Sequence, residues 1–204
     1  MARTIFRRLL AGLAISAMFA AVAHAGWMSS LLDRVYNPFV TSGQAAVLPA
    51  PGRNVSVQAG FSPGDAESLV IQAINQAHRS IRVAAYSFTS RPIARALLDA
   101  HRRGVDVKVV MDKSQRTERY SSARFLANVG IPVRIDARYA IMHNKFLVID
   151  GQTVETGSFN YTYAAARRNA ENVLIVRGDH ALAAVYDREW NRLWNESTGY
   201  AARY

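Results

Sequence analysis

Cysteine is absent from the 204 residues, and lysine occurs three times, at Lys108, Lys113 and Lys145. The first absence excludes disulfides, thiolate metal sites, lipoprotein anchoring and cysteine nucleophiles, so an oxidising compartment would do the chain no chemical harm. The second means that the formal charge of +10 is carried almost wholly by arginine. The sequence also lacks an internal repeat and any dense Asp, Glu or His cluster of metal-ligand type, so no metal and no cofactor is expected.

What is present begins with a targeting pattern. Arg3, Arg7 and Arg8 form a positive head, Leu9 to Ala23 an apolar run, and Ala23-His24-Ala25 a small-x-small cleavage site. Residues 1–25 therefore read as a signal peptide cleaved after Ala25, with a periplasmic or secreted location expected and an uncleaved anchor as the alternative. The run is too short for a comfortable membrane span. Loss of the three arginines lowers the charge from +10 to +7. Such a balance favours polyanions, either nucleic-acid backbone or anionic lipid headgroups, and does not choose between them.

Residues 26–54 contain "LPAPGRN" and no strand-like alternation, and read as an extension or linker. Trp27, Leu31, Leu32, Val35, Tyr36 and Phe39 fall there near helical spacing, which would let the segment pack on the domain or on a membrane surface. One domain is expected over residues 55–204. Strands "VSVQAGF", "SIRVAAYSF", "VDVKVVMD" and "IPVRID" alternate with helices over Asp65 to Arg79, Arg91 to Arg103 and Ser121 to Asn128. That alternation predicts an α/β fold, a mixed, largely parallel sheet flanked by helices. Further on, His143 to Ile149 and Thr153 to Thr156 flank Asp150-Gly151, a strong hairpin signal. "ENVLIVRG" reads as one more buried strand and Ala181 to Trp194 as a closing amphipathic helix.

The chemistry concentrates in "MHNKFLVIDGQTVETGSFN", Met142 to Asn160. Strand alternation sends His143 and Lys145 to one side and Asn144 to the other. A neutral histidine can attack or accept a proton near pH 7, and a lysine offers fixed positive charge to an anionic oxygen. A phosphodiester needs both. Asp150 has the opposite parity and opens the turn, so fixing the hairpin is its expected task. Gly157 permits a tight bend, after which Ser158 and Asn160 share a face and present hydroxyl and amide donors. Equally, Ser158, Asn160 or Thr162 could cap the short helix over Tyr163 to Arg168, and helix N-termini also attract anions. Glu171 opens the last apolar strand; it is either a solvated strand end or a carboxylate that orients a histidine.

"HNKFLVID" fits the H-x-K-x-x-x-x-D signature of the phospholipase D superfamily, and "GSFN" with Glu171 eleven residues later fits its downstream elements. "SIRVAAYSFTSRPIARALLDAHRRGVDVKVVMD" and "ETGSFNYTYAA" resemble the short periplasmic Nuc-type endonucleases of that superfamily in particular, over roughly Val55 to Asn195. The resemblance implies a phospholipase D-like fold and, because one motif is present rather than two, a homodimer. It makes His143 the nucleophile, the partner subunit's His143 the acid and then the base, Lys145 and Asn160 the ligands of the non-bridging oxygens, Ser158 their support, and Glu171 the orienter of a histidine. No metal enters this scheme.

The motif alone leaves the ester open. Arg116, Arg119, Arg124, Arg167 and Arg168 flank the motif elements and would track a phosphate backbone without reading bases, although each alone also suits a solvated helix face. Together with the Nuc-type likeness they favour a non-specific endonuclease acting on nucleic acid, with the choice between DNA and RNA left open. A phospholipase D or cardiolipin-type hydrolase is the alternative, and a non-catalytic nucleic-acid-binding protein the third class. Membrane contact is expected only through an uncleaved signal or a docked 26–54 segment.

Overall fold

The computed structural model describes residues 54–201. The signal peptide expected over 1–25 and the extension expected over 26–54 therefore lie outside the described residues, apart from Asn54. In chain order the elements are β1 (Ser56–Ser62), α1 (Ala66–Asn75), β2 (Ser80–Ala85), α2 (Arg91–Arg102), β3 (Asp106–Asp112), a 3-10 turn (Lys113–Arg116), α3 (Ala123–Asn128), β4 (Val133–Asp136), β5 (Lys145–Ile149), β6 (Thr153–Gly157), α4 (Tyr163–Arg167), β7 (Glu171–Arg177), α5 (His180–Glu196) and β8 (Thr198–Gly199). Among them, no helix is long and apolar enough to cross a membrane.

The strands form one mixed sheet in the order β1-β7-β6-β5-β2-β3-β4-β8. A mixed sheet flanked by helices was expected, but its balance of directions is reversed. Only β2–β3 and β3–β4 run parallel, and the other five pairings are antiparallel. The physical reason is that β1-α1-β2 resembles a crossover unit in sequence, yet β1 goes to the far edge and pairs with β7. Hairpin geometry then dictates the β5–β6 pairing, since two antiparallel strands need only a tight turn whereas parallel ones need a long crossover.

β5 reads as an unbroken apolar run because it is buried on both faces. Leu147 and Ile149 join the larger core, which also holds Val70 and Ile74 of α1 and Leu97 of α2. Phe146 and Val148 join a smaller core with Trp190 and Leu193 of α5. Trp190 is held on that side by its indole N–H, which donates to the Val83 carbonyl at 2.9 Å. Helices thus cover both faces of the central strands, and the ends of those strands are left to carry function.

At the hairpin, Asp150 and Gly151 both adopt left-handed backbone, with φ of 55° and 66°, a conformation that glycine and aspartate tolerate best. The Asp150 carboxylate accepts backbone N–H bonds from His78 (2.9 Å), Arg79 (2.7 Å) and Ser80 (2.8 Å), while the Arg79 guanidinium donates to the Asp150 carbonyl at 2.6 Å. Asp150 therefore fixes more than its own turn: it ties the hairpin to the start of β2. These contacts also explain why α1 stops at Asn75 rather than continuing to Arg79. Burial alone would raise the Asp150 pKa, but the three backbone donors and Arg79 outweigh it and hold the carboxyl below its ordinary value.

Candidate active site

The expected strand from His143 begins instead at Lys145, and His143 sits in the loop before it. The two side chains nevertheless converge on one ring, that of Tyr86. Tyr86, just after β2, packs its ring 4.6 Å from that of His143 and 5.2 Å from the Lys145 ammonium. The Tyr86 N–H donates to the Asn144 carbonyl at 3.0 Å, which joins the two loops through backbone. Lys145 Nζ donates to the carbonyl of His143 itself at 2.9 Å, so the nucleophile candidate and the cation are held at fixed spacing. His143 is exposed, whereas Lys145 is only 8 % exposed. Burial pushes the Lys145 ammonium below its ordinary pKa, and nearby Glu171 opposes the shift. An arriving phosphate would add negative charge and favour the ammonium further.

The loop carrying His143 is anchored from below. Met142 N–H donates to Asp112 Oδ2 at 2.8 Å, and the other oxygen of the same buried carboxylate accepts from Ser114 N–H at 2.9 Å. Asp112 ends β3, so the sheet positions the loop directly.

Across β5, β6 delivers the Gly-Ser-Phe-Asn turn. Gly157 is required by contact: a Cβ there would fall 2.2 Å from the Asn172 carbonyl oxygen on β7. Phe159 and Tyr161 then turn into the core while Ser158 is exposed and Asn160 half-buried. Ser158 Oγ donates to Glu171 Oε2 at 2.5 Å and accepts from Asn172 N–H at 3.1 Å, and Asn169 Nδ2 donates to Glu171 Oε1 at 2.9 Å. Both Glu171 oxygens are thereby engaged within the chain. Asn160 Oδ1 is buried and has no hydrogen-bond partner. The helix-capping alternative falls to Thr162, whose Oγ1 accepts from Ala165 N–H at 3.1 Å, which leaves Ser158 and Asn160 for the site.

Sequence reasoning missed three supports: Tyr86, Asp112, and a buried pair beneath the turn. In that pair Tyr161 Oη donates to Glu155 Oε2 at 2.7 Å, with both residues closed off from solvent. Burial pushes the Glu155 carboxyl up to about 8, and the tyrosine bond only partly offsets it. None of the three announces itself locally, since each acts through a contact distant in sequence.

The expected nucleic-acid arginines do not share one environment. Arg116 donates to Thr198 Oγ1 at 3.3 Å, and Arg167 lies 3.6 Å from the Glu67 carboxylate. Arg119 covers the ring of Tyr120 at 5.5 Å and Arg168 that of Tyr163 at 5.6 Å, while Arg124 is exposed on α3. Among the described residues no group of three or more His, Asp or Glu side chains could hold a metal ion.

Residues 70–194 match the family described as "Cardiolipin synthase, PLD-like domain". Among solved structures, the chain is similar to Nuc from Salmonella typhimurium, a phospholipase D family member, at 45 % identity and a TM-score of 0.71, covering 72 % of this chain and 99 % of that one. It is 39 % identical over 128 residues to a phospholipase D of Rickettsia typhi, covering 63 % of this chain and 62 % of that protein. The mitochondrial cardiolipin hydrolase of Xenopus laevis is 40 % identical over 128 residues, covering 63 % and 60 % respectively. The chain thus matches less than two thirds of the length of these two curated relatives. With more than half of the chain inside the family match, and the two halves of the motif brought together by the sheet, the chain belongs to the phospholipase D superfamily.

Proposed function

We propose that the chain is an exported endonuclease that hydrolyses nucleic-acid phosphodiester bonds without a metal, through a phosphohistidine at His143. The observation that carries the chemistry is the pairing of an exposed imidazole with a buried ammonium 2.9 Å from its own carbonyl. A ring nitrogen of His143 attacks phosphorus and the bond to the leaving oxygen breaks. Lys145 and Asn160 hold the non-bridging oxygens where negative charge builds, and the turn held by Ser158 and Glu171 keeps Asn160 in place. Water then attacks the phosphohistidine, the P–N bond breaks, and a phosphomonoester leaves.

Each step needs a group that first gives the leaving oxygen a proton and later takes one from water. Among the described residues no second histidine is near. His78 and His180 lie by the hairpin at the opposite end of the sheet, through bonds to Asp150 and Gly151, and His101 packs by Gly130. A two-fold homodimer would supply the missing group as the partner subunit's His143. Two histidines sharing one phosphate titrate as a coupled pair, so a bell-shaped pH–rate profile is expected.

Nucleic acid is preferred as substrate because the Nuc likeness runs through 99 % of that chain and because the sequence is arginine-rich. The likeness to a phospholipase D and a cardiolipin hydrolase favours lipid phosphodiesters as the second reading. Wild-type protein and His143→Ala should be compared on DNA, RNA and anionic phospholipid vesicles with EDTA present. Cleavage of DNA or RNA that survives EDTA and disappears in the variant is the expected result. Hydrolysis of vesicles alone would transfer the assignment to lipids, DNA binding without cleavage by wild type would make the chain a binding protein, and loss in EDTA with rescue by a divalent ion would overturn the metal-free scheme.

A further inference from the structure

Beside the catalytic turn lies a concavity of about 700 Å³, lined by Arg91, Arg95, Arg119, Tyr120, Phe125 and Tyr163. Three of these are aromatic and exposed: Tyr120 at 66 %, Tyr163 at 62 % and Phe125 at 40 %. Its connection to the site is covalent and short. Thr89, which lines the groove, and its neighbour Ser90 both donate backbone N–H bonds of 2.8 Å to the carbonyl of Tyr161, the residue after Asn160. Tyr163 follows two residues later. Thr89 also follows by three residues Tyr86, whose ring packs against His143, so the groove borders the site through both loops.

The charges around the groove are unevenly matched. Arg95 lies 3.5 Å from Asp99, but among the described residues neither Arg91 nor Arg119 forms an ion pair, and Arg119 rests on the Tyr120 ring. The nearby acids are otherwise engaged: Glu118 accepts the Tyr120 N–H at 3.2 Å, and Glu67 accepts from Ser90 Oγ at 2.7 Å and faces Arg167. What the groove offers is thus guanidinium groups interleaved with exposed aromatic rings, each tyrosine with one face against an arginine, Arg119 on Tyr120 and Arg168 on Tyr163. An acyl chain would gain little from such charges, and a duplex buries its base faces in its own stack. Unpaired nucleotides present alternating phosphates and flat rings, and every base has a face to stack.

We infer that this groove is a stacking subsite for unpaired bases next to the scissile phosphate, so that single-stranded nucleic acid is the substrate class of the site. The inference rests on the endonuclease reading and specifies it. Tyr163 and Tyr120 stack bases, Phe125 extends the platform, and Arg91 and Arg119 meet the phosphates between them.

The test compares wild type with Tyr120→Ala/Tyr163→Ala on three probes: a single-stranded oligonucleotide, the same sequence as a duplex, and bis(4-nitrophenyl) phosphate, which is too small to reach the groove. Loss of about 10- to 100-fold in kcat/KM on the single strand is expected, with hydrolysis of the small diester unchanged as the control for folding. Tyr163→Trp, which keeps a ring, should retain single-strand cleavage. Equal rates of wild type and double variant on the single strand would remove the subsite while leaving the endonuclease intact, as would an equal loss on single strand and duplex. Wild type that hydrolyses the small diester but no nucleic acid would overturn both readings, and a loss confined to cardiolipin vesicles would reassign the groove to acyl chains.

Discussion

The two ends of β5 carry the two ends of one sequence motif, and they are built on opposite principles. At the Asp150 end the polar groups are saturated: the carboxylate takes three backbone N–H bonds and its carbonyl takes the Arg79 guanidinium. At the Lys145 end they are held in place yet left open. His143 is exposed, and Asn160 keeps a buried oxygen without a partner. Buried polar groups are ordinarily satisfied because an unmade hydrogen bond costs about 1–3 kcal/mol. The saturated end can stabilise the fold because it has no capacity left for a ligand, and the open end can meet a ligand because the rest of the strand holds it still.

That division is tested most severely by His143→Ala. Activity on any phosphodiester should fall by at least about 10⁴-fold, as for loss of other covalent nucleophiles, while the urea midpoint stays near that of wild type because the ring is exposed. A large loss of stability would dissolve the distinction between the ends. Lys145→Met should lower kcat by roughly 10²- to 10³-fold, the usual effect of deleting one group that stabilises charge in the transition state. An unchanged kcat with raised KM would make Lys145 a binding group only.

Asp150→Asn should do the reverse. We expect about 2–4 kcal/mol less stability at neutral pH, from weakened bonds to three N–H groups and loss of the charge, with little change in activity per folded molecule. The pH dependence has a definite sign. The folded pKa lies below the unfolded value of 3.8, so the wild-type contribution is present above that value and is lost as pH falls through the folded pKa. Denaturant titrations of wild type and variant should therefore converge in strong acid, and a constant difference would exclude the charge as its source.

The mildest case sharpens the comparison within the hairpin, since Glu155 is buried like Asp150 but has one phenol donor in place of three N–H groups. Folded Glu155 keeps its proton to about pH 8, against 4.5 for an ordinary glutamate. The folded state binds more protons between those values, so stability declines as pH rises from about 4.5 to about 8 and is flat below. Glu155→Gln should be close to neutral at pH 4 and more stable than wild type by about 3 kcal/mol at pH 7. A stability difference equal at both pH values would show that the carboxyl does not titrate in this window.

The sequence carries the site more openly than the sheet. His143, Lys145, Gly157, Ser158, Asn160 and Glu171 are named by motif spacing, but strand parity is not what places them: His143 precedes β5, and Ser158 and Asn160 follow β6, so loop contacts set where their side chains lie. Tyr86 and Asp112 are not named by it, since their value lies in packing against a loop far along the chain. The same limit explains the strand directions. Alternating strands and helices show that a crossover exists, but not that its two strands are neighbours, and β1 and β2 are separated by β7, β6 and β5. The two-residue β8 has too few side chains to show any periodicity at all.

One consequence concerns measurement. Lys145 stands opposite Ala85 at one end of β2, and Asp150 receives its bonds from Ser80 and its neighbours at the other. The six residues Ser80–Ala85 therefore act as a gauge of about 17 Å, against which the interval from lysine to aspartate is set. A residue inserted or deleted within 146–149 would leave either the anchor or the cation off its mark by one step and turn the side chains between them to the wrong face. The number of residues in the motif is thus a length, and the neighbouring strand is the ruler.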